Sequence, residues 1–429
     1  MRNAILGVPH TGDVDFTTGA DPLRIIEVLS KAGIKCRFAG EAFGVVLAIE
    51  DGVEYEIATF RSERGYFDGR RPSQVTFGVS LEEDLARRDF TINAVAIDCT
   101  SGEVVDPFGG VEDLRRGILR TVGNPRERFD EDYLRILRAF RFWGMGFTPV
   151  PQLLQEVSRD PSRVSKLAPE RVRDELLKIF KRSRQDLLEE ILLSTHQTGV
   201  LRAILPEVSR LSIVPQTTGH FDSVLEHTIE AVSYSKWLGG DEFDLLAALL
   251  HDVGKFDTIG THPQKDAITF WGHASVGAAL ANDILRRLRF PKSVIKMVTW
   301  LVKNHMTLHS LLNKERELNV FLKRRLVSVP EEWVERLIRL SMADGLAKYR
   351  GELPVSIIST FDDVRKTMRP VMKLAISGYD IMRILGIQPS KRVGLVKRKL
   401  HELVLTGKLV NDREVLLQYL RRSLERGDV

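Results

Sequence analysis

Two aspartates near the start of the chain, Asp13 and Asp15, are separated by a single residue. On a β-strand, residues i and i+2 project to the same face, so these carboxylates would lie side by side. Like charges that close repel unless a cation neutralises them, and carboxylate oxygens suit Mg²⁺. Such a pair can hold the metals of two-metal nucleotidyl transfer. An isolated Asp-x-Asp also occurs in solvated turns, so the pair alone leaves both interpretations open.

A second group of residues suited to chemistry lies in the middle of the chain, in the order His, His-Asp, His, His, Asp. Imidazole and carboxylate groups are metal ligands, and an adjacent His-Asp pair on a helix can reach one ion. We expect the segment 245–253, which carries His251 and Asp252, to be helical, and helices of a bundle can bring ligands from separate segments to one point. A lone histidine on such a helix is usually packed or solvated, but an ordered set favours a shared metal site. The set comprises His227, His251, Asp252, His273, His305 and Asp344.

Two kinds of element would have to position these groups. Before about residue 118 the pattern is α/β, with apolar strand-like runs at 45–49 and 55–60 joined by the turn Asp51-Gly52. After it, apolar residues recur at helical spacing almost throughout, as at 133, 136, 137 and 140. We therefore expect an α+β fold in which a small head precedes a long all-helical region.

The head contains short motifs in a fixed order. They are LG at 6–7, DVD at 13–15, YEIATFR at 55–61, RRDFTINA at 87–94, DPFGG at 106–110 and RFDEDYLRILR at 128–138. This series resembles the family of class II tRNA nucleotidyltransferases and bacterial poly(A) polymerases, over roughly residues 1–210. The resemblance implies a polymerase-β-like head that transfers nucleotides to an RNA 3′ end.

The resemblance also implies roles for single residues. Asp13 and Asp15 match the metal-binding carboxylates, with Glu56 on a neighbouring strand as a candidate third. The motif RRDxxxN, which contacts ribose and triphosphate, is matched by Arg88, Asp89 and Asn93; a solvated helix cap is the plainer interpretation of Arg87-Arg88-Asp89. The motif EDxxR, which serves as the template for the incoming base, is matched by Glu131, Asp132 and Arg135, followed by Arg138. Asp132 and Arg135 are i and i+3 on a predicted helix, so we expect them to share a face. We expect Glu131 to support Arg135 rather than contact the base.

The start of the chain departs from that family. Its members usually open with Gly-Gly-x-Val-Arg-Asp or -Asn, whereas this chain begins MRNAILG, with Arg2 and Asn3 aligned to the end of that motif. Glycine-rich turns let backbone N–H groups approach phosphate closely. We expect that the true start lies upstream and that a Val codon was read as the initiator; the alternative is a real truncation with lost transfer activity.

The charged segment 61–72, which includes Arg70 and Arg71, resembles the family's flexible loop between head strands, linked there to the switch from C to A addition. A solvated tip is an equal alternative for the two arginines. The tail also carries basic clusters, at 391–392, 397–399 and 421–422. These could contact tRNA phosphates in the acceptor and T arms, although a solvated face is as good an interpretation.

The histidine and aspartate set, with ALLHDVGK at 248–255, resembles the HD phosphohydrolase superfamily. The resemblance implies that His227, His251, Asp252 and Asp344 are the core metal ligands. His273 and His305 would bind a second metal or phosphate, and Lys255 would be a phosphate-binding cation. The metal is expected to be a divalent transition metal or Mg²⁺, and in the head Mg²⁺. The expected domains are a head at 1–118, a helical neck at 119–210, the HD domain at 211–350 and a basic helical tail at 351–429.

The amino-acid composition limits which partners and which cellular compartment we expect. Lys and Arg outnumber Asp and Glu by 63 to 58, which permits a phosphate-rich partner without requiring one. Two cysteines without zinc spacing fit a reduced cytoplasmic compartment. The sequence contains no run of 18 apolar residues, and we expect no signal peptide. We expect no membrane partner.

Together these patterns predict an enzyme that adds C and A from CTP and ATP to tRNA, with a second phosphohydrolase activity on RNA ends or 2′,3′-cyclic phosphates. The alternatives are an enzyme that adds only CC or only A, a poly(A) polymerase, or an RNA-binding phosphohydrolase whose head is inactive.

Overall fold

The computed structural model describes residues 5–7, 14–40, 44–66, 72–216, 221–311, 329–349, 351–352, 374–405 and 408–426. The chain divides into two compact units, Met1–Pro206 and Glu207–Val429. The first begins with a small mixed sheet and continues in helices, and the second is built mainly from helices. This confirms the predicted α+β fold class.

The sheet of the first unit has the strand order β1-β4-β3-β2, with β1 parallel to β4 and the other neighbours antiparallel. The predicted β3–β4 hairpin is confirmed, and its turn residues Asp51 and Gly52 both have positive φ, as an Asp-Gly two-residue turn requires. A helix, α1, contacts β2, β3 and β4. The elements are β1 (Asp15–Thr18), α1 (Pro22–Lys31), β2 (Lys35–Gly40), β3 (Val45–Glu50) and β4 (Val53–Thr59).

The segment expected to be a loop at 61–72 is largely a strand. β5 (Arg61–Tyr66) pairs antiparallel with β6 (Pro72–Phe77). Its charged residues suggested a loop, but Glu63 is paired: it lies 2.7 Å from Arg61 in the same strand and 3.2 Å from Arg87, outside both strands. Arg70 and Arg71 lie outside the described residues.

Helices dominate the rest of the first unit. The helical spacing at 133–140 is confirmed, since Ile136, Leu137 and Phe140 are buried on one helix, α5. The elements are α2 (Leu81–Ala86), β7 (Ala96–Ile97), β8 (Val104–Val105), α3 (Gly110–Arg116), β9 (Ile118–Leu119), α4 (Pro125–Glu131), α5 (Leu134–Gly144), β10 (Thr148–Pro149), α6 (Pro151–Arg159), α7 (Pro169–Arg182), α8 (Leu188–Gln197) and α9 (Val200–Ile204).

In the second unit, helix α11 packs against α12 and α15, and α14 packs against α13 and α15. The last three helices enclose a small core of their own that includes Ile381, Leu400 and Leu416. The elements are α10 (Pro206–Ser209), which spans the unit boundary, α11 (Val224–Trp237), α12 (Glu242–Leu250), β11 (Gly260–Thr261), β12 (Ile268–Thr269), α13 (His273–Arg287), α14 (Lys292–Leu311), α15 (Glu331–Lys348), α16 (Gly378–Leu385), α17 (Lys391–Leu405) and α18 (Arg413–Glu425). Among the described helices, none has the length and apolar character needed to cross a membrane.

Candidate functional site

The sheet of the head brings two carboxylates together. Asp15 is the first residue of β1, and its partner in the parallel register is Glu56 on β4. Register partners project to the same face, which here is opposite the buried side chains of Val46 and Ala48 on β3. Both carboxylates are exposed. They can therefore share a cation; Arg2 and Asp13 lie outside the described residues.

Asp89 is the centre of a buried polar network rather than an open ligand. Its carboxylate accepts hydrogen bonds from the backbone N–H of Phe90 at 2.8 Å, from Asn93 Nδ2 at 3.0 Å and from Arg138 Nε at 2.7 Å. Burial alone would raise the pKa of Asp89, but Arg138 and these hydrogen bonds hold it below its usual value. Asp89 therefore stays charged and fixes Asn93 and Arg138 in place.

Arg88 keeps part of its guanidinium accessible. It donates to the carbonyl oxygen of Asn93 at 3.1 Å and lies 3.4 Å from a carboxylate oxygen of Asp84, yet its side chain is 34% exposed. A guanidinium group that is fixed by hydrogen bonds but still partly exposed suits the binding of an oxyanion such as a phosphate.

The helix expected across Glu131 and Arg138 is interrupted. Asp132 ends α4 in an extended conformation, and its carboxylate accepts the N–H of Leu134, the first residue of α5, at 3.0 Å. The prediction that Asp132 and Arg135 are i and i+3 on one continuous helix is therefore wrong. The reason is local, because aspartate competes for backbone N–H groups and favours helix starts. Burial raises the pKa of Asp132, although Arg171 opposes the shift.

Arg135 faces inwards. Its guanidinium donates to Glu131 at 2.6 Å, to the carbonyl of Arg128 at 2.9 Å and to the carbonyl of Arg87 at 2.7 Å. Arg128 also donates to Glu131, at 2.6 Å, and to the carbonyl of Ala86 at 2.9 Å. The expected contact between Glu131 and Arg135 is thus present. Through these hydrogen bonds, Arg128 and Arg135 connect the α4–α5 junction to the backbone carbonyls of Ala86 and Arg87, just before Arg88.

Sequence reasoning missed Asp84. Its side chain, only 1% exposed, binds Arg87 at 2.8 Å and accepts the backbone N–H of Arg61 at 3.2 Å. Asp84 precedes Arg87 and Arg88 by three and four residues. That i+3 and i+4 spacing is typical of ion pairs on a helix and could have identified it.

The second unit gathers the predicted metal ligands at one point. His227 Nε2 lies 2.9 Å from Asp344 Oδ1, and His251 Nε2 lies 3.2 Å from Asp252 Oδ2. On the other side of the Asp252 carboxylate, Oδ1 lies 3.5 Å from His273 Nε2 and 3.7 Å from His305 Nε2. The ligand atoms of His227, His251 and Asp252 form one compact group, and those of Asp252, His273 and His305 form another. Asp252 belongs to both.

Backbone carbonyls orient three of the imidazoles. His251, His273 and His305 each direct Nδ1 at the carbonyl of the residue three positions earlier, at 2.7, 2.8 and 2.7 Å. Donation from Nδ1 leaves the lone pair of Nε2 for a metal. Within the described part of the chain, His251 Nε2 and Asp252 Oδ1 are buried without a hydrogen-bond partner. The donor set therefore fits divalent cations, and the Asp252 carboxylate, which belongs to both groups of ligand atoms, is called the bridging carboxylate below.

Opposite charges shift the pKa values of His251 and Asp252, and a metal bound at His251 Nε2 would displace its proton. Burial lowers the pKa of His251, but Asp252 and Asp344 outweigh it and raise that pKa to about 9. Although burial opposes the charged form of Asp252, His251 and Lys255 hold its pKa well below the usual value. Lys255 Nζ lies 2.6 Å from Asp252 Oδ2. The cluster thus places a cation beside the bridging carboxylate.

His251 and Asp252 do not lie on the helix that was expected to carry them. Helix α12 ends at Leu250, and the chain turns immediately afterwards. A Cβ at Gly254 would lie 2.2 Å from the carbonyl oxygen of His273, so only glycine permits this approach to α13. The turn brings Asp252 and His273 together.

Comparison with known proteins places these segments in known families. Residues 1–120 match the poly A polymerase head domain, residues 146–211 match the probable RNA and SrmB-binding site of polymerase A, and residues 224–342 match the HD domain. The HD match contains five of the six residues predicted to bind metal in this unit, and the sixth, Asp344, lies two residues beyond it.

Curated relatives match most of the chain. A CCA-adding enzyme of Lactobacillus helveticus is 40% identical over 421 residues, which cover 96% of this chain and 88% of the relative. One of Ligilactobacillus salivarius is 29% identical over 429 residues, covering 99% and 91%. A multifunctional CCA protein of Xanthomonas campestris pv. campestris is 35% identical over 326 residues, covering 72% and 74%.

Solved structures share the fold. The Bacillus stearothermophilus CCA-adding enzyme in complex with CTP superposes with a TM-score of 0.64 at 24% identity, covering 100% of this chain and 92% of that one. A tRNA nucleotidyltransferase complexed with a primer tRNA and an incoming ATP analogue gives a TM-score of 0.56 at 20% identity, covering 86% and 94%. At these identities the likeness shows the fold alone.

Proposed function

This chain belongs to the family of CCA-adding enzymes, and we propose that it adds C and A nucleotides from CTP and ATP to the 3′ end of tRNA. The observation that carries the proposal is the register of β1 and β4, which sets Asp15 beside Glu56 on an exposed sheet face. Facing carboxylates on neighbouring strands suit the Mg²⁺ ions of nucleotidyl transfer.

Each head residue has a proposed task. Asp13, Asp15 and Glu56 hold Mg²⁺, which when bound activates the attacking hydroxyl and neutralises the triphosphate. Arg88, with Arg2, binds the triphosphate, and Asn93, held by Asp89, positions the ribose. Asp132 and Arg138 present hydrogen-bonding groups to the base of the incoming nucleotide, and the inward-facing Arg135 completes this template by fixing the α4–α5 junction that carries them. The exposed part of Arg88 and the partly exposed Asp132 and Arg138 support this division.

A second activity belongs to the HD domain. His227, His251, Asp252 and Asp344 hold one metal and Asp252, His273 and His305 another, each Mg²⁺ or a divalent transition metal. The bound metals would supply the hydroxide for hydrolysis of phosphoesters at RNA ends, including 2′,3′-cyclic phosphates. The buried unpaired atoms His251 Nε2 and Asp252 Oδ1 support the assignment. Lys255 would contact the phosphate.

The arrangement of domains follows from these tasks: the head at 1–118, the neck at 119–210, the HD domain at 211–350 and the tail at 351–429. We assign to the tail the contacts with the acceptor and T arms of tRNA, because α17 carries the basic residues of segments 391–392 and 397–399. A cytoplasmic location completes the proposal, since tRNA is the substrate.

The alternatives differ in the product that they form. An enzyme that adds only CC, one that adds only A and a poly(A) polymerase would share the head motifs. A phosphohydrolase with an inactive head would leave tRNA unextended. The Asp15–Glu56 pair and the Asp89–Arg138 contact favour an active head.

The test is extension of a tRNA that lacks its 3′-terminal CCA, with Mg²⁺ and with CTP, ATP or both. We expect two additions with CTP alone, three with both nucleotides, and little incorporation of UTP or GTP. A second tRNA that already ends in CC is assayed beside it. Stopping after CC with both nucleotides would identify the CC-adding alternative, extension of the second tRNA alone would identify the A-adding one, and a long A tract would identify a poly(A) polymerase. No extension of either tRNA, with hydrolysis of a cyclic phosphate intact, would identify the inactive head.

A further inference from the structure

The short β11–β12 hairpin connects two parts of the metal cluster. It follows Lys255 in the chain and ends shortly before His273, whose Nδ1 faces the carbonyl oxygen of Phe270 at 2.8 Å. The two strands pair antiparallel, with Gly260 opposite Thr269 and Thr261 opposite Ile268. The hairpin therefore borders the site at which a phosphoester would be hydrolysed.

Strand alternation gives the hairpin two faces. Thr261 and Ile268 lie opposite each other and project to one face. The same alternation, continued by one residue beyond each strand, puts Ile259 and Phe270 on that face. His262 falls on the other face, and its ring lies 5.8 Å from the ring of Trp271.

The first face adjoins the metal cluster. Lys255 Nζ lies 5.4 Å from the centre of the Phe270 ring and 2.6 Å from Asp252 Oδ2, so one ammonium group contacts both the ring and the bridging carboxylate. Ile259 and Ile268 extend the same face and are 51% and 39% exposed. Exposed apolar side chains beside a cation suit a ligand that has a phosphate at one end and a flat apolar group at the other.

We propose that the face formed by Ile259, Ile268 and Phe270 binds the base of a nucleoside phosphoester whose phosphate lies at Lys255 and Asp252. The inference rests on the hydrolase activity proposed above and adds to it a surface for the base of the substrate. In the reaction, the oxygen of water bonds to phosphorus, one P–O ester bond of the cyclic phosphate breaks, and the released ribose oxygen takes a proton.

The test compares two cyclic phosphodiesters that contain the same five-membered ring, adenosine 2′,3′-cyclic phosphate and glycerol 1,2-cyclic phosphate, which lacks a base. The full chain is assayed with Mn²⁺ as wild type and as the double variant Ile259→Ser, Ile268→Ser. The matched control is Trp271→Ser, an exposed apolar residue (66% exposed) on the other face of the same hairpin. Binding of adenosine 3′-monophosphate to the same proteins is measured by calorimetry.

We expect the double variant to raise KM for the nucleotide, and to weaken binding of the monophosphate, by roughly tenfold with little change in kcat. The double variant should hydrolyse the glycerol ester at the wild-type rate. Trp271→Ser should keep the wild-type KM and kcat on both esters and the wild-type affinity for the monophosphate. An equal loss on both substrates, or the same loss in Trp271→Ser, would overturn the base-binding face. If the wild type cleaves the glycerol ester without preferring the nucleotide, this inference fails while the hydrolase proposal stands. If the wild type cleaves neither ester, the hydrolase proposal fails. If the double variant then also binds the monophosphate as tightly as the wild type does, the proposed base-binding face is refuted as well.

Discussion

Asp15 and Asp89 are both carboxylates of the head, but their surroundings give them different tasks. Asp15 is exposed at the start of a strand beside Glu56, so its charge is available to a ligand. Asp89 is buried, and its carboxylate oxygens already accept hydrogen bonds from Phe90, Asn93 and Arg138. The same substitution should therefore affect activity at one position and stability at the other.

Asp15→Asn should lower nucleotide addition on the order of a thousandfold, because the charge that holds the metal is lost. Its unfolding free energy should stay near that of the wild type, since the side chain is exposed. Asp89→Asn is the matched comparison: it leaves the partly buried Arg138 without its counter-charge and should cost about 2 kcal/mol of stability. Extension assays and urea unfolding measure both effects. Wild-type activity in Asp15→Asn would contradict the metal assignment.

Glu131 supports the template residues by binding two arginines. Glu131→Gln should leave Arg128 and Arg135 without a shared counter-charge and lower stability by about 2 kcal/mol, because the Glu131 side chain is only 21% exposed. Discrimination of CTP and ATP against UTP and GTP should weaken as well, since Arg135 loses its fixed position. The control is Glu127→Gln, an exposed residue of the same helix. A stability loss without any change in nucleotide selectivity would limit Glu131 to a structural role.

The residues suited to catalysis and metal binding could be predicted from the sequence, but their hydrogen-bond partners could not. The order of the histidines and aspartates predicted the cluster around Asp252, whose ligand atoms the fold does bring together. The carbonyl groups that orient His251 and His305 belong to Ala248 and Val302, and no side-chain type reveals a backbone contact. The inward direction of Arg135 likewise depends on a carbonyl, that of Arg87.

At the scale of elements, the periodic patterns were informative and the element ends were not. The β3–β4 hairpin and α5 were predicted because alternation and helical spacing report which side is buried. Asp132 and His251 were placed inside helices that end before them, because a cap or a close glycine contact overrides the apolar pattern. Local hydrogen bonding decided these ends.

The start of α12 offers a prediction at this scale. Asp241 caps the helix by accepting the N–H of Phe243 and Asp244, and Arg336 on α15 donates to both of its carboxylate oxygens at 2.6 Å. Burial would raise the pKa of Asp241, but Arg336 and the cap lower it from 3.8 to about 2. A pKa lowered by folding stabilises the protein above the unfolded value of about 4, and this stabilisation is lost as the pH falls towards about 2.

Asp241→Asn should therefore destabilise the chain by about 1 kcal/mol near neutral pH, a value discounted for the 42% exposure of the side chain. The difference from wild type should shrink below about pH 4, where the wild-type carboxylate begins to lose its charge advantage. Urea unfolding across this range measures it, with the exposed turn residue Asp266 changed to Asn as the control. A difference that does not depend on pH would show that the cap acts without its charge.

At the scale of the whole molecule, the chain has two candidate sites made of different residues in different compact units. The head site depends on Asp15, Glu56 and the Asp89 network, all before residue 206, and the HD cluster lies entirely after residue 207. The proposed reactions also differ: one joins a nucleotide to an RNA end, and the other hydrolyses a phosphoester. Two sites with separate ligands should be separable by mutation.

Crossed variants test this separation on one tRNA substrate. Asp252→Asn removes the charge shared by both metal groups, so hydrolysis of a 2′,3′-cyclic phosphate should fall by orders of magnitude and divalent metal binding should weaken. Addition of C and A to a tRNA with a free 3′ hydroxyl should persist. Asp15→Asn should show the reverse pattern. A tRNA that ends in a 2′,3′-cyclic phosphate joins the two reactions, because it has no 3′ hydroxyl until the P–O3′ bond breaks, either in the opening of the ring or in the later removal of a 3′-phosphate. If the HD site frees this hydroxyl, wild type extends this tRNA, both single variants fail, and a mixture of the two variants restores extension. If the mixture does not extend this tRNA although each variant keeps its own activity, the HD site does not prepare RNA ends for the head. Loss of both activities in either folded variant would indicate one shared site.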